Sequence, residues 1–163
     1  MVSIPGFEGD LVAQTDPDYP QAIARWAKNA ERNAALVAFV KSSRDVALAL
    51  QYARSSGLAV SVRGGGHSAA GASSSEGGII IDLSRHLAEV RVDPEKRLAW
   101  VGGGALWETV DKAAIEHGLA TVAGTVNHVS LPYLWRYETF GTEFAAVRVQ
   151  RVVLDRCRRV CRF

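Results

Sequence analysis

Short apolar runs alternate with a segment of helical period in the N-terminal third of the chain. The first run covers residues 35–40, and the helical segment begins at Ser42 in a capping-box pattern and ends at Gly57. A second apolar run covers residues 58–62. This order predicts a β-α-β unit whose strands are buried on both faces. The helix residues expected to point inward are Val46, Leu50 and Ala53.

The segments around this unit complete a mixed fold. The further elements predicted are an extended arm over 1–19, a helix over 20–33, a strand over 79–83, a hairpin of 89–93 and 97–101, a helix over 105–117, a short strand over 119–122 and a weak strand over 145–153. The inner faces of the two helices should carry Ile23, Trp26, Ala27 and Ala30, and Leu106, Val110, Ala113 and Ala114. The predicted fold class is α+β, with an α/β-like N-terminal part.

The pattern and the charge both change near residue 130. Residues 1–129 hold 12 Lys and Arg against 14 Asp and Glu, whereas residues 130–163 hold 7 Arg and 3 acidic residues. The net charge of +2 therefore describes neither part and is no guide to partners. The predicted organisation is an arm and helix over 1–32, a domain over 33–129 and a divergent Arg-rich tail over 130–163.

Length and composition narrow the protein class. A chain of 163 residues, 48% of them hydrophobic, can form one globular core and is not of disordered composition. No apolar run approaches the roughly 18 residues that cross a bilayer, and no basic and apolar leader precedes Arg25, so a cytoplasmic protein is expected. Cys157 and Cys161 alone are a poor zinc signal, and no metal site is predicted.

The strongest chemical signal is the glycine-rich segment from Arg63 to Ser68, which follows the second apolar run. Glycines let a ligand approach the backbone, and successive N–H groups can hold phosphate oxygens, although a flexible turn would also explain the glycines alone. The segment lacks the Gly-Lys-[Ser/Thr] of a P-loop and the third glycine of the Rossmann fingerprint. His67 can serve there as base, ligand or nucleophile. His86 is expected to be exposed and His117 to end a helix.

Four motifs occur in one order at regular spacings. They are Arg63-Gly-Gly-Gly-His-Ser68, Ile81-Asp-Leu-Ser84, Trp100-Val-Gly-Gly-Gly-Ala-Leu-Trp107 and Gly124-Thr-Val-Asn-His-Val129. Together they resemble the FAD-binding domain of the berberine bridge enzyme-like flavoproteins, in the vanillyl-alcohol oxidase/p-cresol methylhydroxylase superfamily. The resemblance covers residues 33–129. It implies the first subdomain of a p-cresol methylhydroxylase-type FAD-binding domain, the start of the second, and then the divergent tail.

The resemblance also implies FAD as the cofactor and assigns residues to it. The glycine-rich loop would bind the pyrophosphate through backbone N–H groups, and His67 would be bonded covalently to the flavin 8α-methyl group. Some relatives attach FAD a second time through a cysteine, but Ala123 takes that place here, which leaves His67 alone. The residues implied to bind FAD are Arg63, Gly64, Gly65, Gly66, His67, Ser68, Asp82, Leu83, Ser84, Gly124, Thr125, His128 and Val129. For His128, a packing role beside the cofactor is an equal alternative to contact with the flavin ring.

The implied function is oxidation of an alcohol or C–H group of a small molecule, with hydride transfer to the flavin and O2 as the usual acceptor. No catalytic residue is predicted, because the family's second glycine-rich stretch and substrate domain have no counterpart after residue 129. One alternative is a truncated, non-catalytic remnant that binds FAD weakly or not at all. Another is a small protein that binds nucleic acid or a partner through the Arg-rich tail. Nucleic-acid binding is not expected, because the tail lacks interleaved aromatic residues.

Overall fold

The computed structural model of the chain describes residues 2–121, 126–130, 150–153 and 155–156. Its strands are β1 (Asp10–Ala13), β2 (Leu36–Phe39), β3 (Val60–Arg63), β4 (Ile79–Asp82), β5 (Val90–Asp93), β6 (Leu98–Val101), β7 (Leu119–Ala120), β8 (Gln150–Val153) and β9 (Asp155–Arg156). Its α-helices are α1 (Tyr19–Ile23), α2 (Ser43–Ser55) and α3 (Trp107–Ile115), and a 3₁₀ turn covers Lys28–Ala30. This mixture confirms the α+β class.

The first sheet carries the predicted β-α-β unit. Its strand order is β1-β2-β4-β3, in which β4 runs parallel to both β2 and β3 and β1 is antiparallel to β2. The helix α2 connects β2 to β3. The central strands are buried on both faces, as expected of parallel strands covered by helices. On one face Leu36, Ala38, Ile79 and Ile81 pack with α2, and on the other Val37, Phe39 and Ile80 pack with α1 and β1.

Helix α2 begins and ends where the sequence predicts. The Ser42 hydroxyl accepts a hydrogen bond of 3.2 Å from the Asp45 N–H, which satisfies one free amide of the first turn. Gly57 adopts a left-handed φ of +65°, and the Leu58 N–H donates to the Ala53 carbonyl at 2.8 Å. The left-handed glycine and this hydrogen bond form a Schellman motif at the end of the helix, which turns the chain back toward β3 and the glycine-rich loop.

Two burial predictions in this unit are wrong. Val60 and Val62 of β3 are 42% and 39% exposed, whereas Ser61 between them is 7% exposed, so one face of this edge strand is left open. Leu50 is 46% exposed, whereas Ala49 and Ala53 are buried. The buried face of α2 is therefore centred on two alanines one turn apart, and Leu50 lies about 100° away from Ala49 around the helix.

The predicted helix over 20–33 is also wrong, and the predicted arm contains a strand, β1. Helix α1 ends at Ile23, and Trp26 is 73% exposed rather than inward-facing. The side chain of Arg25 explains the ending, because its guanidinium donates to the carbonyls of Ala22, Ile23 and Ala24. A helix that continued would use the same carbonyls for its own hydrogen bonds.

The second half forms a separate small sheet. The predicted hairpin β5-β6 is confirmed, and the backbone of β8 extends it antiparallel beyond β6. Helix α3 packs on this sheet through Val110 and Ala114, but it is shorter than predicted, with Leu106 at its N-cap and Ala113 only partly buried. β7 pairs with β9. The boundary at residues 129–130 stays a prediction.

No helix in the described part of the chain has the length and apolar character needed to cross a bilayer. No three His, Cys, Asp or Glu side chains among the described residues come together as a metal-ligand set. Cys157 and Cys161 lie outside the described residues.

Candidate cofactor site

The structure brings the four sequence motifs to one end of the first sheet. β3 and β4 are parallel neighbours with Arg63 opposite Asp82, so the segments that follow them, the glycine-rich loop and Leu83–Ser84, start side by side. The Leu83 N–H donates to the Arg63 carbonyl at 2.9 Å. The third motif reaches the same place through Gly104, where a Cβ would overlap the Leu83 carbonyl oxygen. The described part of the fourth motif, residues 126–129, lies against the loop.

A buried ion pair anchors the start of the loop. Asp82 is fully buried, and its Oδ2 accepts a hydrogen bond of 2.9 Å from Arg63 Nη1. Its Oδ1 accepts from both the N–H and the hydroxyl of Ser84, at 2.8 and 2.6 Å. The Arg63 guanidinium also donates to the Ala22 carbonyl. Both Asp82 oxygens therefore contact the chain itself, and these residues hold the loop in place whether or not they touch a ligand.

Gly64 and Gly65 let the segment 126–130 approach the loop. A Cβ on Gly64 would lie 2.5 Å from the Ser130 hydroxyl and 3.1 Å from the Gly103 carbonyl. A Cβ on Gly65 would lie 3.0 Å from the His128 carbonyl. At these two glycines the close neighbour is therefore another segment of the protein, where the sequence led us to expect a ligand. Gly66 has a left-handed φ of +72°, which glycine adopts without steric cost.

The loop also carries backbone donors. Among the described residues, the N–H groups of residues 64–67 find no acceptor, whereas the Gly66 carbonyl accepts from the Trp26 N–H at 3.4 Å. Consecutive N–H groups of this kind form an anion-binding nest. Such a nest is chemically suited to phosphate oxygens, and the assignment of this loop to the pyrophosphate of FAD stays a prediction.

The segment 126–130 is fixed by the first turn of α3. The Trp107 N–H donates to the Val129 carbonyl at 3.1 Å, and the Glu108 N–H donates to the Asn127 carbonyl at 2.9 Å. Helix N-terminal amides lack intrahelical acceptors, so these contacts satisfy two of them. His128 and Val129 are thereby held beside the loop. Gly124 and Thr125 lie outside the described residues.

His67 is half-buried at the end of the loop, in contact with two other rings. The ring of Trp26 stacks on it with centroids 5.6 Å apart at 23°, and the ring of His128 lies 6.5 Å away at 22°. Burial, followed by the charge of His128, lowers the pKa of His67 below its ordinary value, and the hydrogen bond with the His128 backbone opposes this only in part. The imidazole is therefore neutral near pH 7 and keeps a free lone pair.

Arg25 is a buried residue of this region that the sequence did not single out. Its Cδ would lie 3.3 Å from a Cβ on Gly66, and its guanidinium reaches the Ser73 carbonyl at 2.7 Å. Burial, with the nearby charge of Arg63, lowers its pKa to about 10, so it stays charged at neutral pH. Asp82 and Glu31 oppose this shift only in part. The buried Nε atoms of Arg25 and Arg63 have no hydrogen-bond partner among the described residues, and both cations lie beside the loop N–H groups.

His86 and His117 lie apart from this site. His86 is not exposed as expected: its Nε2 is 2.6 Å from Asp10 Oδ2, which Arg85 also contacts at 3.1 Å. The pKa of Asp10 is lowered by the hydrogen bond from His86 and, to a smaller extent, by Arg85. This cluster ties β1 to the segment after β4. His117 lies exposed in the turn after α3, beyond the end of the helix.

Replacing Gly64 by alanine tests the close approach of the segment 126–130. We expect a loss of about 1–3 kcal/mol in the free energy of unfolding, because the new methyl group meets Ser130 and the Gly103 backbone. The measurement is urea denaturation of the full chain. Adding Ser130→Gly to the variant removes the nearest atoms and should restore part of the loss. A Gly64→Ala chain as stable as the parent would show that the two segments do not pack as described.

Comparison with known proteins gives a consistent family and fold. A profile of the FAD binding domain family matches residues 34–131, more than half of the chain. The FAD-linked oxidoreductase hasG of Aspergillus fumigatus is 38% identical over 122 residues, which cover 75% of this chain and 26% of that protein. The chain spans about a quarter of the length of the curated relatives it matches.

Solved structures agree. The 6-hydroxy-D-nicotine oxidase of Arthrobacter nicotinovorans matches with a TM-score of 0.75 and 30% identity, over 80% of this chain and 29% of that one. The berberine bridge enzyme-like protein 1 of Physcomitrella patens matches with a TM-score of 0.69 and 19% identity, over 76% of this chain and 27% of that one. These matches confirm the resemblance and the fold predicted from the four motifs.

Proposed function

The chain belongs to the FAD binding domain family, and we propose that it forms the FAD-holding part of an FAD-dependent oxidoreductase. The observation that carries the proposal is the loop of residues 64–67. Its N–H groups have no acceptor among the described residues, and its last residue, His67, is a neutral histidine. Bound FAD supplies a ring that accepts a hydride from an alcohol or C–H group. The substrate proposed is a small molecule, and the proposed final electron acceptor is O2.

Different residues of the chain would have different roles in binding FAD. The N–H groups of the loop would bind the pyrophosphate, and the Arg63–Asp82 pair would keep the loop in position. The residues proposed to contact the cofactor are Arg63, Gly64, Gly65, Gly66, His67, Ser68, Ser84, Gly124, Thr125, His128 and Val129. Asp82 and Leu83 are fully buried, so they are proposed to support the loop from within the protein and not to touch FAD. No residue of this chain is assigned to substrate activation.

His67 is proposed as the point of covalent attachment. Its imidazole is half-buried and neutral, so a nitrogen lone pair is available to form a bond. The bond would join the lone-pair nitrogen of His67 to the 8α-carbon in place of one hydrogen of that carbon. The imidazole would lose its N–H proton, and the two protons and two electrons released would go to O2, giving hydrogen peroxide. A bond of this kind would retain the cofactor whatever its reversible affinity for the loop.

The family match favours FAD binding over the two alternatives drawn from the sequence. The matched residues 34–131 contain the complete glycine-rich loop and exclude the Arg-rich end, which a nucleic-acid-binding protein would need.

Binding of FAD and of riboflavin to the full chain tests the proposal. FAD should bind with one site per chain and at least tenfold more tightly than riboflavin, because only FAD carries the pyrophosphate that the loop N–H groups can hold. Flavin fluorescence under titration measures both affinities, and ADP should compete with FAD. Equal affinity for the two flavins, or no binding to the folded chain, would contradict the proposal.

A further inference from the structure

Trp26 is a large aromatic side chain whose position the core does not explain. Its indole is 73% exposed, although tryptophan is mostly buried in folded proteins. It belongs to none of the three hydrophobic clusters found among the described residues. Its described ring contact is with His67, at 5.6 Å and 23°. The exposed indole of Trp26 therefore packs against His67 of the candidate site and not against the hydrophobic core.

The backbone around Trp26 is held firmly on both sides. Arg25, its neighbour, is 7% exposed and donates to four backbone carbonyls, those of Ala22, Ile23, Ala24 and Ser73. The Trp26 N–H donates to the Gly66 carbonyl, one residue before His67. These contacts join the segment that carries the indole to the loop that carries the imidazole. The stacking of the two rings follows from a fixed backbone arrangement.

We propose that Trp26 is a positioning residue that fixes the plane of the His67 imidazole. This inference rests on the proposed function of His67 as the attachment residue. Residue 26 lies outside the family match at residues 34–131, so the match assigns it nothing.

Stacking is the physical basis of the proposed role. Aromatic pairs with centroids 4.5–7 Å apart and nearly parallel rings attract each other beyond simple burial. An imidazole without this neighbour would turn more freely about its Cβ–Cγ bond, and its reactive nitrogen would spend less time in the orientation that bond formation needs. The neighbouring ring of His128, 6.5 Å away at 22°, is exposed and adds a weaker contact. Loss of the indole should slow attachment by about 3- to 10-fold.

Two variants of the full chain distinguish the effect of the aromatic ring of Trp26 from the effect of its size. Trp26→Leu keeps an apolar side chain without the ring, and Trp26→Phe keeps a ring able to stack. Leu50→Ala is the control, since Leu50 is an exposed apolar side chain on α2. The first measurement, on the chain without flavin, is the NMR signal of the His67 ring protons, which a stacked indole shifts. The second is the rate at which added FAD becomes acid-stable.

We expect Trp26→Leu to move the His67 ring signals toward their unstacked positions and to slow attachment 3- to 10-fold, with urea denaturation unchanged. Trp26→Phe should keep the attachment rate within about twofold of the parent, and Leu50→Ala should change neither measurement. Unchanged His67 signals in Trp26→Leu would overturn the inference, as would an unchanged attachment rate. If the parent chain forms no acid-stable flavin, covalent attachment by His67 fails. NOEs between the His67 ring protons and its own Cβ protons, which report the orientation of the ring without any signal from the indole, then decide whether Trp26 orients His67: the same NOE pattern in Trp26→Leu as in the parent would overturn the inference.

Discussion

Replacing His67 by alanine is expected to abolish acid-stable flavin in this chain. The structure places His67 at the end of the glycine-rich loop, half-buried and stacked on Trp26. Burial keeps its pKa low, so the neutral imidazole can form a bond to carbon near pH 7. Alanine has no atom that can replace that nitrogen. The stretch 121–125 also contains no cysteine that could form a second linkage.

The measurement is the absorbance and mass of protein precipitated with acid after incubation with FAD. The parent chain should carry one flavin, and His67→Ala should carry none while still binding FAD reversibly through the loop. His117→Ala is the matched control, because His117 is exposed after α3 and apart from the site. Flavin that stays with acid-precipitated His67→Ala would show that another residue makes the linkage.

Replacing Asp82 by alanine is expected to lower the free energy of unfolding by about 3–5 kcal/mol. Asp82 is fully buried and accepts hydrogen bonds from Arg63 and from the N–H and hydroxyl of Ser84. Its removal leaves the Arg63 guanidinium, whose side chain is only 18% exposed, without its counter-ion. An uncompensated buried charge costs far more than the lost attraction alone.

Urea denaturation of the full chain measures this loss. Asp18→Ala is the control, because Asp18 is exposed and its side chain makes no capping hydrogen bond to α1. The double variant Arg63→Met, Asp82→Leu should recover part of the stability, since neither charge is then left alone. A single Asp82→Ala variant as stable as Asp18→Ala would mean that the ion pair does not hold the loop.

The β-α-β unit could be predicted because local chemistry determines it. The Ser42 cap and the left-handed Gly57 limit α2, and the apolar runs of β2 and β4 are buried on both faces. The exposure of Val60 could not be predicted in this way, since it depends on β3 being the edge of the sheet. Strand order comes from long-range pairing, which hydrophobic pattern does not encode.

The N-terminal errors have a similar cause. The residues of 20–33 have a helical period, yet Arg25 takes the carbonyls that would continue α1 and reaches Ser73, 48 residues away. β1 is only four residues long and forms because Asp10–Ala13 pairs with β2. Neither contact leaves a periodic signal in the sequence.

Part of the candidate site could be predicted from the sequence. The glycine-rich loop and Asp82–Ser84 follow apolar runs, and parallel neighbouring strands bring such segments together. The assignment of individual residues to FAD stays a prediction, and Gly124 and Thr125 lie outside the described residues. The stacking of Trp26 on His67 could not be foreseen, because it joins residues far apart whose spacing follows no helical or strand period.

The central claim is that the N–H groups of residues 64–67 hold the pyrophosphate of FAD. The most direct test is a ¹H–¹⁵N NMR titration of the full chain with FAD, and with ADP as the ligand that lacks the flavin ring. We predict downfield shifts for the amides of Gly64, Gly65, Gly66 and His67 with both ligands, and no comparable shift at Gly57 or Gly118, which lie at helix ends away from the loop. Unmoved loop amides in the presence of saturating FAD would contradict the claim.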